Sequence, residues 1–190
     1  MLRIVNIEEI QGILNSISAL IDLQQQHDST FDEKVKEWLA KLEKSLENNR
    51  IMQVGEIATL RGLILSAEHG IIPPGIELHR RSTKRKIIEA AVTISLRNSS
   101  SLVTELLQKE VDRVSDAERM MRQLLAMAKA KGLLEALPEE EDRTEFLKVI
   151  WQLFSSDPEL APGTINVEGF VGPHDALVVL DRTLTTDFQT

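Results

Sequence analysis

The sequence contains no cysteine and no tyrosine, and aromatic residues make up only 4% of its 190 positions. The absence of cysteine excludes disulfide bonds, thiolate metal sites and cysteine nucleophiles. The scarcity of aromatic rings argues against a surface that binds single-stranded nucleic acid by base stacking. No stretch approaches the roughly 18 uninterrupted apolar residues of a membrane span, and residues 1–10 lack the pattern of a signal peptide. We therefore expect a cytoplasmic protein without a membrane partner.

Apolar residues recur at three- and four-residue spacing over most of residues 1–155, which is typical of amphipathic helices. We expect this region to form one domain, an all-α bundle of five to seven helices with one long central helix. Pro and Gly crowd residues 158–173. Residues 156–190 are therefore expected to form an irregular C-terminal segment with a short strand at Ile165–Val167. The apolar run Ala176–Leu180 could be an edge strand or a short terminal helix, and Pro173 at a first helical turn favours the helix.

Three details of the helical region are predicted from local signals. Residues 6–26 have the periodicity of a single first helix. The helix predicted within residues 51–69 is apolar on nearly all sides, so we expect it to be the most central helix of the bundle. Its Gly55 and Gly62 suggest close approach by a neighbouring backbone, and Gly70 is placed to end the helix.

A joint is expected at residues 98–101, followed by a long helical pattern over residues 102–131 in one helix or two. Six positions of that pattern follow heptad spacing: Leu107, Val111, Val114, Glu118, Met121 and Leu125. They could form an oligomer seam with a partner chain. However, Ala117, Met120 and Leu124 widen the apolar stripe beyond a narrow seam, which favours burial in the chain's own bundle.

Charge is distributed unevenly along the chain. Residues 1–78 hold 7 bases and 12 acids, residues 79–135 hold 12 and 7, and residues 136–190 hold 3 and 11. These segments carry −5, +5 and −8, in agreement with the net charge of −8. Five cations occur within seven residues of the positive segment. They are Arg80, Arg81, Lys84, Arg85 and Lys86.

This basic run has three possible explanations. It could bind phosphate or nucleic acid, because clustered Arg and Lys release counterions from a phosphate backbone. It could be neutralised by the chain's own acids, or it could dock an acidic partner protein. The net charge of −8 opposes non-specific nucleic-acid binding. Cations in a first helical turn also oppose the helix dipole, so local helix stability does not explain their position.

No motif with a catalytic mechanism is present. The nearest approach to a metal site is His69 and His79, which flank a Pro-Pro-Gly turn and each have a glutamate close by in sequence. A metal-dependent hydrolase is the enzyme class this would allow, but we expect no catalysis and no cofactor. The sequence favours a non-catalytic, self-associating helical module that binds another protein as an adaptor, scaffold or regulator. The alternative is a nucleic-acid or phosphate-binding module that uses the basic run.

Overall fold

The structure, a computed structural model, describes residues 1–74, 83–135 and 142–187, and these residues contain eight helices and no strand. The helices are α1 (Ile4–Asn15), α2 (Ile17–Gln25), α3 (Phe31–Asn48), α4 (Val54–Glu68), α5 (Lys84–Ala130), α6 (Arg143–Ser156), α7 (Ala161–Val171) and α8 (Pro173–Asp187). The predicted all-α class with one long central helix is confirmed. In the described part of the chain, no helix has the length and apolar character needed to cross a membrane.

The predicted first helix is divided into α1 and α2 at Ser16. The Ser16 hydroxyl donates to the carbonyl oxygen of Ile13 at 2.6 Å, and its backbone N–H donates to the same oxygen at 3.2 Å. A serine that binds the preceding turn in this way competes with the regular helical ladder. If α1 and α2 are counted together, the number of helices falls within the predicted range.

The long helix α5 is continuous over 47 residues, so the joint predicted at residues 98–101 is wrong. The serines that suggested it satisfy their hydroxyls without a break. The hydroxyl of buried Ser99 donates to the carbonyls of Ser95 and Leu96 in the preceding turn. Ser95 is itself buried, and its hydroxyl donates to the carbonyl oxygen of Leu60 on α4 at 2.9 Å.

The C-terminal segment is helical rather than irregular, and the strand predicted at Ile165–Val167 is instead part of α7. Proline fits a first helical turn because its missing N–H has no partner there anyway. Pro162 lies in the first turn of α7, and Pro173 begins α8, which confirms the predicted terminal helix. Gly172, with φ of +82°, provides the backbone conformation that ends α7.

The chain divides into two compact units. One unit contains Val5–Gln108, and the other contains Met1–Ile4 together with Lys109–Thr190. The predicted boundary at residue 155 coincides with neither division. We call these the central unit and the terminal unit.

In the central unit, α3 and α4 pack against each other, and α3 contributes more buried residues than α4. The buried residues of α3 are Phe31, Val35, Trp38, Leu39, Leu42, Ser45 and Leu46. By contrast, only three residues of α4 are buried, namely Ile57, Ile64 and Ala67. The expectation that α4 is the most central helix is therefore wrong.

The glycines of α4 also differ from expectation. A Cβ added at Gly55 or Gly62 would meet nothing within 4 Å, so no neighbouring backbone in the described chain requires them to be glycine. Gly70 does terminate the helix as predicted. It has φ of +79°, and the N–H of Ile71 donates to the carbonyl of Ser66 at 3.0 Å, which completes a Schellman motif.

In the terminal unit, the first residues of the chain are held by buried charged groups. Asp175 is 2% exposed, and its carboxylate accepts a hydrogen bond from the N–H of Ile4 at 2.7 Å. The Arg113 guanidinium donates to the carbonyl oxygens of Leu2 and Phe170, and it pairs with Glu110 at 2.7 Å. Charge-assisted bonds of this kind are among the stronger hydrogen bonds in proteins.

Gly163 on α7 is a helical glycine with no room for a larger side chain. A Cβ at this position would overlap the side chain of Leu124, which is only 4% exposed and has little room to move. We expect Gly163→Ala to lower the free energy of unfolding by about 1–3 kcal/mol through overpacking. The matched control is Gly12→Ala on α1, where nothing lies within 4 Å and alanine should instead add about 0.5–1 kcal/mol. Urea unfolding of both variants checks this, and equal effects at the two positions would contradict it.

Candidate interaction site

The first turn of α5 is anchored by its apolar side. Ile87 and Ala91 are buried in a small cluster with Ala67 of α4, and Ile88 packs against it. The cations Lys84, Arg85 and Lys86 are all exposed. The helix start is therefore held in place while its charged side chains face solvent.

Within the described residues, none of these three cations forms an ion pair. Other basic residues in the central unit do so, with Lys36 paired to Glu68 at 2.7 Å and Arg61 to Glu43 at 3.1 Å. Arg80 and Arg81, the other two members of the predicted basic run, lie outside the described residues. The three described cations of the run are thus available to bind an anionic group.

Arg85 is partly balanced by acids of the same unit. Partial burial raises the pKa of Asp32 on α3, and the nearby charge of Glu89 raises it further. Lys36 and Arg85 act in the opposite direction and lower that pKa. Internal compensation of the basic run is therefore present at Arg85, where it is long-range rather than a direct contact.

An open cleft of about 470 Å³ lies between α4 and α5, far from the cationic turn along α5. Its walls are Glu56, Thr59 and Leu60 of α4 and Asn98, Ser101, Leu102 and Glu105 of α5. The two charged groups of the cleft are both carboxylates. It therefore combines negative charge with an aliphatic surface, which suits a cation on an aliphatic stem.

The two helices run antiparallel across this face. The C-terminal half of α4 meets the start of α5 through the cluster of Ala67 and Ile87, and the middle of α4 meets Ser95 through the Leu60 carbonyl. The N-terminal end of α4 meets residues 98–105 at the cleft. The face formed by α4 and α5 therefore has the first-turn cations of α5 at one end, together with Glu68 and Glu89. At the other end it has the cleft carboxylates Glu56 and Glu105.

The heptad positions are mostly inside the folded chain. Leu107, Met121 and Leu125 are 6% exposed or less, and Val114 is 9% exposed. The widening residues Ala117 and Leu124 are buried as well, so the wide stripe packs within the protein. Among the six proposed seam residues, Val111 is exposed, with 36% of its surface accessible, and Glu118 is half-buried. The seam thus offers a partner little accessible apolar surface.

The histidine pair cannot be assembled from the described residues, because His79 lies outside them. His69 is exposed and occupies the C-cap position of α4. Its backbone N–H donates to the carbonyl oxygens of Leu65 and Ser66. Among the described residues, no group of three His, Asp or Glu side chains is placed to hold a metal ion.

The cleft carboxylates were not found by sequence reasoning. Glu56 and Glu105 lie 49 positions apart, and each resembles the many other acidic residues of exposed helix surfaces. One sequence signal points to Glu105: it follows Lys84 by 21 residues, which is three heptads on one helix. That signal required α5 to be continuous, which the predicted joint obscured.

Comparisons with known proteins give no further guide: no protein-family model, no curated protein and no solved structure matches this chain.

The raised pKa of Asp32 predicts a pH-dependent effect of Asp32→Asn. When the pKa of a carboxyl group is higher in the folded state, the free energy of unfolding of the protein falls as pH rises through that pKa. Asparagine does not titrate and has no such effect. The free energy of unfolding of the variant minus that of the wild type should therefore increase between about pH 3 and pH 7. Denaturant unfolding across this range measures the difference.

Asp28→Asn is the control of opposite sign. Hydrogen bonds from the Thr30 hydroxyl and the Thr30 N–H lower the pKa of Asp28, so its contribution to stability is lost as pH falls. For this variant the same difference should decrease as pH rises. A pH-independent difference for Asp32→Asn would show that its environment does not penalise the charge.

Proposed function

We propose that the protein is a non-catalytic helical interaction module that docks an acidic protein surface through the cationic first turn of α5. It would serve as an adaptor, scaffold or regulator in the cytoplasm. The observation that carries this proposal is the exposure of Lys84, Arg85 and Lys86 on an anchored helix start, without an ion pair to any described residue. Arg80 and Arg81 precede this turn in sequence and lie outside the described residues.

The position of the cations is costly for the helix itself. A first turn carries a partial positive charge from its unpaired N–H groups, so Lys and Arg there are destabilising by some tenths of a kcal/mol each. The first turn of α5 contains no acidic residue. No contact within the described chain offsets this destabilisation of the first turn. Such a local cost is expected where residues serve binding rather than folding.

A protein partner is favoured over nucleic acid by the rest of the molecule. The net charge of −8 would repel a phosphate backbone at every orientation other than the one that presents this turn. The acidic cleft lies on the same face of the unit, where a long polyanion laid along α5 would meet it. A compact acidic patch on a protein avoids that repulsion.

Charge reversal separates binding from folding at this site. We expect Lys84→Glu/Lys86→Glu to abolish capture of acidic partner proteins from a native lysate, because the attraction becomes repulsion. The same change should leave the melting temperature unchanged or raise it, since glutamate suits a first helical turn. Affinity capture with quantitative mass spectrometry and thermal unfolding are the two measurements.

The matched control is Lys41→Glu/Lys44→Glu, which makes the same charge change at exposed positions of α3 in the same unit. It should retain the partners. Equal partner lists for the wild type and the α5 variant would refute the proposal. Recovery of nucleic acid that is lost after nuclease treatment and with the α5 variant would instead favour the phosphate-binding alternative.

A further inference from the structure

We propose that the outer face of α4, with the adjoining side of α5, is a self-complementary surface on which a second copy of this chain docks in antiparallel orientation. In this arrangement Lys84 of each copy lies opposite Glu56 and Glu105 of the other copy. The inference rests on the proposed function, because it identifies the acidic partner as the cleft of a second molecule.

The charges on this face have the arrangement that two-fold symmetry requires. Lys84 and Glu105 are 21 residues apart on one continuous helix, about 31 Å at the helical rise, and within about 60° of each other around its axis. Rotation by 180° about the middle of this span places each cationic end against an acidic end. A two-fold interface needs this reciprocity, in which residue i meets residue j and j meets i.

The cleft has the right chemistry for a lysine side chain. Glu56 and Glu105 can accept from the ammonium group, while Leu60 and Leu102 provide an aliphatic wall for its four-carbon stem. Asn98, Thr59 and Ser101 add neutral polar groups at the opening. The volume of about 470 Å³ admits more than one long side chain.

The outer surface of α4 permits a second helix to approach closely. At 100° per residue, Gly55, Thr59, Gly62 and Ser66 fall on one narrow stripe. The hydroxyls of Thr59 and Ser66 bind the carbonyls of Gly55 and Gly62 on their own helix, so they need no other partner. Gly62 lies near the middle of the face, where two copies would be closest, and a Cβ added there would meet no described atom within 4 Å.

Flanking this stripe, Leu65 is 49% exposed and Ile71, just after α4, is 60% exposed. Aliphatic side chains beside a stripe of small residues would be covered in the dimer. They explain why α4 carries apolar residues on nearly all sides although only three of its residues are buried in the chain.

A charge-swap experiment on the full chain tests the proposal by sedimentation velocity. The wild type should dimerise, and the dimer should weaken as salt is raised. Lys84→Glu/Lys86→Glu and Glu56→Lys/Glu105→Lys should each weaken self-association by about tenfold or more, because like charges then meet at both ends. Mixing the two variants should restore a dimer, since one copy is acidic at both ends and the other basic at both ends.

Gly62→Leu tests the close approach independently of charge. It should abolish the dimer while raising the melting temperature of the monomer, because leucine is the better helix former and a Cβ at this position meets no described atom within 4 Å. Gly12→Leu, an equivalent change on α1, should leave dimerisation intact. Circular dichroism of each variant shows that it is folded.

The outcomes distinguish this inference from the proposed function. A monomeric wild type at high concentration and low salt, or variants that dimerise as well as the wild type, would overturn the two-fold arrangement. Acidic partners lost only with the α5 charge reversal would then still support the proposed function. Loss of self-association in Glu56→Lys/Glu105→Lys with retained capture of other acidic proteins would support both.

Discussion

The continuity of α5 is the constraint on which the other features depend. Backbone hydrogen bonds fix the rise and rotation of each residue in an α-helix, so groups far apart in sequence acquire a set distance and direction. Lys84 and Glu105 are related in this way, and between them α4 meets α5 at Ala67 and Leu60. Had the chain bent at residues 98–101, neither the cleft nor the charge polarity of this face would exist.

Charge placement opposes local helix stability at the start of α5 and favours it at the starts of α3 and α6. In α3, Asp32 and Glu33 occupy the first turn, and in α6 Asp142 caps the helix by accepting from the N–H of Thr144. Both arrangements follow the helix dipole. The first turn of α5 departs from this practice with two lysines and an arginine. Such a local departure in an otherwise consistent sequence is the kind that function produces.

The sequence predicted the parts of the fold that depend on local chemistry. Gly70 ends α4 and Pro173 begins α8 because their backbone preferences act within a single turn. Prediction from the sequence failed where a local signal is compatible with two structures. Ser99 reads as a joint, but its buried hydroxyl is satisfied within the helix, and the prolines near residue 162 start a helix rather than prevent one. The cleft carboxylates come from two helices, so no local pattern connects them.

The division of the chain into units has a consequence for synthesis. Residues 5–108 form the central unit and can complete it once they have left the ribosome, whereas the terminal unit joins residues 1–4 to residues 109–190, which are translated later. Arg113 and Asp175, which bind the backbone of Leu2 and Ile4, are therefore unavailable when residues 1–4 emerge. Since domains fold in the order in which they are translated, the first turn of α1 lacks these two partners until residue 175 has been made.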